Sequence, residues 1–403
     1  MDNRRAYLQL ALGTLNSMFL GIAYTWSLFV QPIESSMGWV RSQTSLIFTL
    51  MMVFFFAGCF AGSLLVSRFP LRRILLISAA AFLICFNVCA SAQHLLSFYI
   101  AYGVLNGFTN GTAYFAVMNT ANKWFMKRIG FASGIMLTGF ALGSFILGSP
   151  ISSAITVLGW RATFRCYSIL FFVLMAVMAF TVHLPPDYIA GSGKRGGNSH
   201  GFFEDLRTGC FRSYFLMHLF VMTIGVTTIG NIAVLTAYTG ASPAMGVIGT
   251  GSVAIGNGGF RTLFGKLYYK LGAKTTFLLV CILALTATVL LVVSLQFKMT
   301  GLLIVALFLA GASYGSVATC GSAFPMDYFG PVNYNKNFGI ILTSGVMSSI
   351  LGTLVVGLVQ TKFGSYPLSF LVLFVYAVAA CISFKFIPSP DKFRIQRDNV
   401  ITE

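Results

Sequence analysis

Arg261 is the residue on which any chemistry must turn: it sits in the apolar, glycine-rich segment GTGSVAIGNGGFRTLFGKL, where nothing nearby carries a negative charge. An arginine at bilayer depth costs at least roughly 2.5–3.5 kcal/mol on insertion scales, so it faces a partner or a wet cavity. All nine acidic residues (Asp2, Glu34, Asp187, Glu204, Asp205, Asp327, Asp391, Asp398 and Glu403) fall in tails, connections or the ends of apolar runs. The missing counterion is then an anion supplied from outside. Asn257 and Gly258 precede Arg261 by four and three residues, which places them on its helical face. A cation, an amide and an open glycine surface make a cradle for a carboxylate. The competing readings are snorkelling of Arg261 toward an interface near Lys266 and Lys270, and helix-to-helix hydrogen bonding by Asn257.

A second polar face repeats every four residues: Tyr102, Asn106, Asn110, Tyr114, Met118 and Asn122. That spacing keeps the side chains on one slowly drifting side of a helix, and polar groups in a span turn to the bundle interior. A structural hydrogen-bond seam is the alternative. Tyr24, in GIAYTWSLFVQP, and Tyr314, in GASYGSVATCG, offer phenols able to hydrogen-bond a small organic anion while their rings exclude water. Packing and interfacial anchoring are what membrane aromatics more often do. The eight cysteines are scattered and the four histidines dispersed, with no metal-ligand spacing; His218 reads as a hydrogen-bonded packing residue. There is no phosphate-cradling Gly-Lys-Ser loop, no pair of carboxylates and no nucleophile-base set. The expectation is no enzyme, no cofactor and no metal.

The elements that position these residues are membrane spans. Of 403 residues 57% are hydrophobic and only 9% charged, with apolar runs of the roughly 20 residues that cross a bilayer. Runs such as LIFTLMMVFFFAGCFAGSLLV do not alternate, which excludes a strand barrel. The predicted fold class is an all-α polytopic membrane protein with twelve transmembrane helices, near 7–32, 44–67, 74–92, 95–122, 129–152, 162–183, 213–238, 244–268, 275–297, 300–325, 337–361 and 366–387. An even number puts both termini on one side. The net charge of +17 is distributed for a membrane and not for nucleic acid: with both termini cytoplasmic, twenty Lys and Arg face inward and five (Arg41, Arg161, Arg165, Lys298 and Lys362) face outward.

The longest polar stretch, PPDYIAGSGKRGGNSHGFFEDLRTGCFRS, divides six spans from six. The expected organisation is an N-terminal six-helix bundle over 1–183, a cytoplasmic linker over 184–212, and a C-terminal six-helix bundle with its tail over 213–403. Lys127, Gly130 and Gly143 recur as Lys336, Gly339 and Gly352, an echo that supports repeated halves. Glycines concentrate in spans 2, 5, 8 and 11, where they fit either general helix packing or a sliding interface between the halves.

The combination YTWSLF, GWVRSQTS, MNTANKWF, GNGGFR, MDYFG and KNFG, spread over spans 1, 4, 8, 10 and 11, resembles the oxalate/formate antiporter family of the major facilitator superfamily and its relatives that carry pyruvate or lactate. The resemblance implies a two-bundle fold with one central site served by alternating access. It also implies that Arg261 is the substrate-binding arginine, Tyr24 and Tyr114 are site tyrosines, and Tyr314 is an aromatic of the cavity. Three positions depart: Gly345 stands where oxalate carriers have a lysine, Ala318 replaces a second aromatic of span 10, and Ala23 replaces a glutamine. In the 2–3 loop Ser67 and Pro70 replace the usual acid and glycine, and Tyr269 stands in the matching 8–9 loop. Asn257 stands where proton-linked monocarboxylate carriers have aspartate.

One buried cation suits one monovalent carboxylate. Two unit charges about 4 Å apart attract by about 4 kcal/mol at an effective dielectric of about 20, so an unmatched second charge crosses poorly. The expected function is alternating-access transport of a small monocarboxylate, by exchange or with a proton, with Arg261, Tyr24, Tyr114, Asn257, Tyr314 and Asn110 at the site. An oxalate/formate-type dicarboxylate exchanger, a drug-efflux carrier and a nontransporting membrane sensor are the alternatives. The expected partners are the carboxylate and the lipid bilayer, without nucleic acid; the protein is expected to work as a monomer in the cytoplasmic membrane.

Overall fold

The computed structural model describes residues 3–186 and 201–393. Among them the chain is helical throughout. The first pass is α1 (Asn3–Leu20), a 3₁₀ turn (Gly21–Thr25) and α2 (Trp26–Met37). Then come α3 (Arg41–Arg68), α4 (Leu71–Ser91) and α5 (Leu95–Phe98), the last continuing through a π-helical stretch (Tyr99–Asn106) into α6 (Gly107–Trp124). The long run α7 (Ile129–Thr181) holds two passes, because Gly159 takes φ 79° and ψ 160° and breaks it. An L side chain at that φ would be strained, and glycine is not. After the short α8 (Phe202–Arg207) follow α9 (Gly209–Tyr238), α10 (Pro243–Leu271), α11 (Ala273–Gln296), α12 (Thr300–Phe329), α13 (Tyr334–Phe363) and α14 (Tyr366–Lys385). Counted with the break in α7, these make the twelve passes read from hydropathy. Residues 187–190 and 191–200 of the expected linker lie outside the described residues, whereas its 202–207 part is the helix α8.

Seven described segments are long and apolar enough to cross a membrane on length and composition alone: those in α3, α4, α7, α9, α11, α12 and α14. The passes through α1–α2, α5–α6, α10 and α13 are more polar or richer in glycine. Three of those four carry five of the six candidate site residues, and the sixth, Tyr314, lies on α12.

The chain forms two compact units, Met1–Lys127 with Gly139–Tyr188, and Arg128–Thr138 with Ile189–Glu403. In unit 1, α6 packs on α1, α3 and α4. Its core is aromatic: Phe164 stacks on Phe29 at 4.6 Å, Phe82 meets Phe171 at 4.9 Å, and Trp26 meets Tyr102 at 4.6 Å. Arg161 closes the α4 end by donating from Nη1 to Ala90 O and Ala92 O, both at 2.9 Å. In unit 2, α12 packs on α9, α10 and α11, while α13 and α14 pack on α9. There Tyr214 stacks on Phe324 at 3.7 Å. The buried Asp205 of α8 accepts from Asn333 Nδ2 and Asn337 Nδ2, both at 2.9 Å, which ties α8 to the start of α13.

Candidate functional site

Arg261 lies in unit 2 and is 3% exposed. Its Nε donates to Asn257 Oδ1 at 2.8 Å, one helical turn back on α10. Its Nη1 donates to the main-chain oxygen of Leu137 at 2.8 Å, on the Arg128–Thr138 segment of α7 that belongs to this unit. Both acceptors are neutral. Among the described residues no carboxylate pairs with this guanidinium, and two of its five N–H groups account for its hydrogen bonds. Snorkelling is therefore not what Arg261 does; its side chain turns inward.

The scaffold around it is built by close backbone approach. A Cβ on Gly134 would lie 2.6 Å from Arg261 O, and one on Gly315 would lie 2.1 Å from Asn257 O, so α7 and α12 both press against α10 at this level. Thr138 Oγ1 is 2.7 Å from Gly258 O and 2.9 Å from Thr262 Oγ1, which fixes the α7 segment one turn away from the guanidinium. Thr319 Oγ1 reaches Arg261 O at 3.2 Å from α12. Tyr314 is buried with its ring centroid 5.7 Å from Arg261 Cζ, seated against Gly225 of α9, where a Cβ would come within 2.4 Å of the tyrosine's own Cβ. Arg261, Asn257 and Tyr314 thus form one cluster: a cation, its amide brace and an aromatic face within cation–π range.

Asn110 and Tyr114 belong to unit 1. Asn110 Nδ2 donates to Leu20 O at 3.1 Å, and Asn110 Oδ1 is buried with no hydrogen-bond partner. Tyr114 is 4% exposed, its ring 5.1 Å from Phe140 and 5.6 Å from Phe55. The expected fourfold stripe does not run unbroken. Tyr102 and Asn106 fall in the π-helical stretch, whose wider turns change the facing, and Tyr102 packs into the aromatic core against Trp26. The backbone of Tyr24 forms part of the 3₁₀ turn, but its side chain lies outside the described residues.

Other expectations resolve locally. His218 Nδ1 is 2.8 Å from Ser344 Oγ, the packing hydrogen bond expected of it, next to the buried Gly345. Tyr268 donates from its hydroxyl to Asp327 Oδ2 at 3.3 Å, and Arg128 lies 5.0 Å over the Tyr269 ring, so aromatic contacts stand in the 8–9 loop where an acid is usual. The glycines of span 2 do not form a free sliding surface: Gly58 and Gly62 press on Phe108 and Thr112 of α6 within unit 1. Sequence reasoning missed Leu137 and Thr138, as well as Asn16 and Asn119, whose buried amides have no partner at either atom. Asparagines within membrane-length helices were the available signal for the latter two.

A profile of the Major Facilitator Superfamily matches residues 11–236 and 214–398. The chain is 27% identical over 377 residues to the oxalate:formate antiporter of Oxalobacter formigenes, covering 90% of this chain and 87% of that one. It is 27% identical over 125 residues to human monocarboxylate transporter 11, covering 31% of this chain and 24% of that protein. In structure it is similar to the proton:xylose symporter XylE, with a TM-score of 0.72, 16% identity and 96% and 97% of the two chains covered. It is likewise similar to the E. coli fucose:proton symporter FucP, with a TM-score of 0.68, 13% identity and 95% and 99% covered. With the profile reaching almost from end to end of a twelve-pass helical fold, the chain belongs to the Major Facilitator Superfamily, as a multi-pass membrane transporter and not an enzyme.

Proposed function

We propose that the protein is a secondary carrier of a small monocarboxylate anion, of the pyruvate, lactate or formate class, working by alternating access. The observation that carries this reading is the buried Arg261 guanidinium, held by two neutral carbonyl oxygens and facing no carboxylate among the described residues. A carboxylate brings the opposite charge and accepts two parallel N–H bonds from a guanidinium where a main-chain oxygen accepts one, so it displaces the Leu137 carbonyl as partner. Asn257 holds the guanidinium plane during that exchange, and Tyr314 keeps its flank dry. Tyr24, Tyr114 and Asn110 are the other residues proposed for substrate binding. The relatives named for formate and for monocarboxylates support the substrate class.

A dicarboxylate exchanger is the second reading, favoured by the relative named for oxalate. Against it stands Gly345, which supplies no charge beside Ser344 and His218. The coupling is exchange: an empty carrier must occlude an uncompensated cation, so the loaded form reorients faster. Proton-linked uptake fits if the acid brings its own proton. The moving bodies are six-helix bundles over 1–183 and 213–403 joined by the 184–212 linker, in a monomer of the cytoplasmic membrane with both termini cytoplasmic.

Thermal unfolding of the purified carrier with added formate, pyruvate, lactate or oxalate tests the reading, since a ligand that binds the folded state stabilises it by mass action. The expected result is a larger shift with a monocarboxylate than with oxalate, and loss of that shift in Arg261→Gln. An equal or larger shift with oxalate, or an unchanged shift in Arg261→Gln, would overturn it.

A further inference from the structure

A cavity of about 250 Å³ opens between α3, α4 and α6 of unit 1, with Leu65, Ile74, Ile77, Ala81 and Phe108 forming its wall and Arg73 in its lining. It is smaller than the roughly 300–1,000 Å³ of pockets that enclose a compact solute, so it admits a length of hydrocarbon chain. Two of the three hydroxyls in the lining are spent on the backbone: Ser78 Oγ donates to Ile74 O at 2.9 Å and Thr112 Oγ1 to Gly58 O at 3.1 Å. Apart from Thr109 and Arg73, what remains toward the cavity is apolar. Ile77 at its rim is 71% exposed, the kind of surface that a membrane protein presents to acyl chains.

Charge gathers at the Arg73 end. Arg68 closes α3, and Arg72 and Arg73 open α4; all three are exposed. Arg72 is braced with its Cζ 4.2 Å over the Phe180 ring, and none of the three has a carboxylate partner among the described residues. An apolar cleft ending in uncompensated guanidinium groups matches a molecule that is hydrocarbon along its length and anionic at its head.

We propose that this cleft is a specific site for an anionic phospholipid, with an acyl tail against Ile74, Ile77, Ala81 and Phe108 and the phosphate on Arg73, with Arg72 and Arg68 around it. A zwitterionic lipid fills the cleft equally well but brings no net charge to the arginines. A free phosphate meets the arginines but leaves the cleft empty. The site is independent of the anion assignment at Arg261, and its test needs no transport measurement.

Native mass spectrometry of the delipidated full-length carrier supplies the test, with phosphatidylglycerol, phosphatidylcholine of the same chains, and glycerol phosphate as probes. Phosphatidylglycerol is expected to be retained over phosphatidylcholine by about fivefold for each arginine engaged, with glycerol phosphate not retained. Arg73→Gln should lower that preference by about fivefold. Ala81→Phe, which fills the cleft, should reduce retention of both lipids, and Ile77→Trp at the exposed rim gives the same reading with little risk to folding. Equal retention of the two lipids by the unaltered protein, an unchanged preference in Arg73→Gln, or unchanged retention in both cleft-filling variants would overturn the proposal. So would glycerol phosphate competing as well as the intact lipid.

Discussion

At the residue scale, the behaviour of the cluster depends on how few negative charges lie near Arg261. Asn257 Oδ1 already sits 2.8 Å from Arg261 Nε, so Asn257→Asp would place an internal carboxylate on the guanidinium with almost no change of shape. That variant should unfold at a higher temperature by the equivalent of about 1–3 kcal/mol and bind external monocarboxylates at least tenfold more weakly. Acid should partly restore its transport, because the introduced carboxyl, once protonated, no longer competes with substrate; uptake that falls as pH drops would contradict the scheme. Gly345→Lys makes the converse change. It adds a second cation beside Ser344, and competition assays should show oxalate gaining on pyruvate by roughly tenfold. An unchanged order of preference would count against charge matching.

At the element scale, α10 owes its position to small residues on its neighbours. Gly315→Ala would drive a Cβ to 2.1 Å from Asn257 O, which forces α12 and α10 apart at the level of Arg261. Overpacking of this kind costs about 1–3 kcal/mol, so both thermal stability and transport should fall. Gly259→Ala is the internal comparison: nothing lies within 4 Å of its added carbon, and helix propensity makes it neutral or stabilising by up to about 1 kcal/mol. The same two helices show what could be read from sequence. Arg261 was legible because a charge in an apolar run is rare, and Asn257 because four residues make one turn. The Leu137 carbonyl was not, since every residue carries a main-chain oxygen and helical spacing says nothing about a segment 124 residues away. Nor was the role of Thr138, whose three oxygen contacts are made across helices and within α7 alike.

At the scale of the whole molecule, twelve passes followed from the length and number of apolar runs, signals that survive errors of several residues at each end, while the superfamily fold was legible only through the resemblance carried by motifs such as MNTANKWF and GNGGFR. The break at Gly159 was harder to place: the sequence around it reads as two spans, but the chain stays helical on both sides of a single glycine. The transport cycle carries its own prediction. If the empty carrier is slow because Arg261 must cross without a counterion, proteoliposomes loaded with unlabelled substrate should take up labelled substrate at least about tenfold faster than empty ones. Equal rates, with or without an imposed pH gradient, would remove obligatory exchange.

The π-helical stretch Tyr99–Asn106 lies just upstream of Asn110 and Tyr114. Its surplus backbone sets the rotational phase of everything after it: the wider turns already absorb about one residue more than an α-helix would hold, and one further residue, with no such turn to take it up, would swing the downstream side chains by about 100°. An in-frame insertion of one alanine after Ile100 should therefore yield a carrier that inserts and folds yet aims its amide and phenol at the wrong neighbours, whereas deletion of Ile100 should leave them in place. Replacing Ile100, which is 56% exposed, by another apolar residue should pass unnoticed. For this segment, residue count matters more than residue identity.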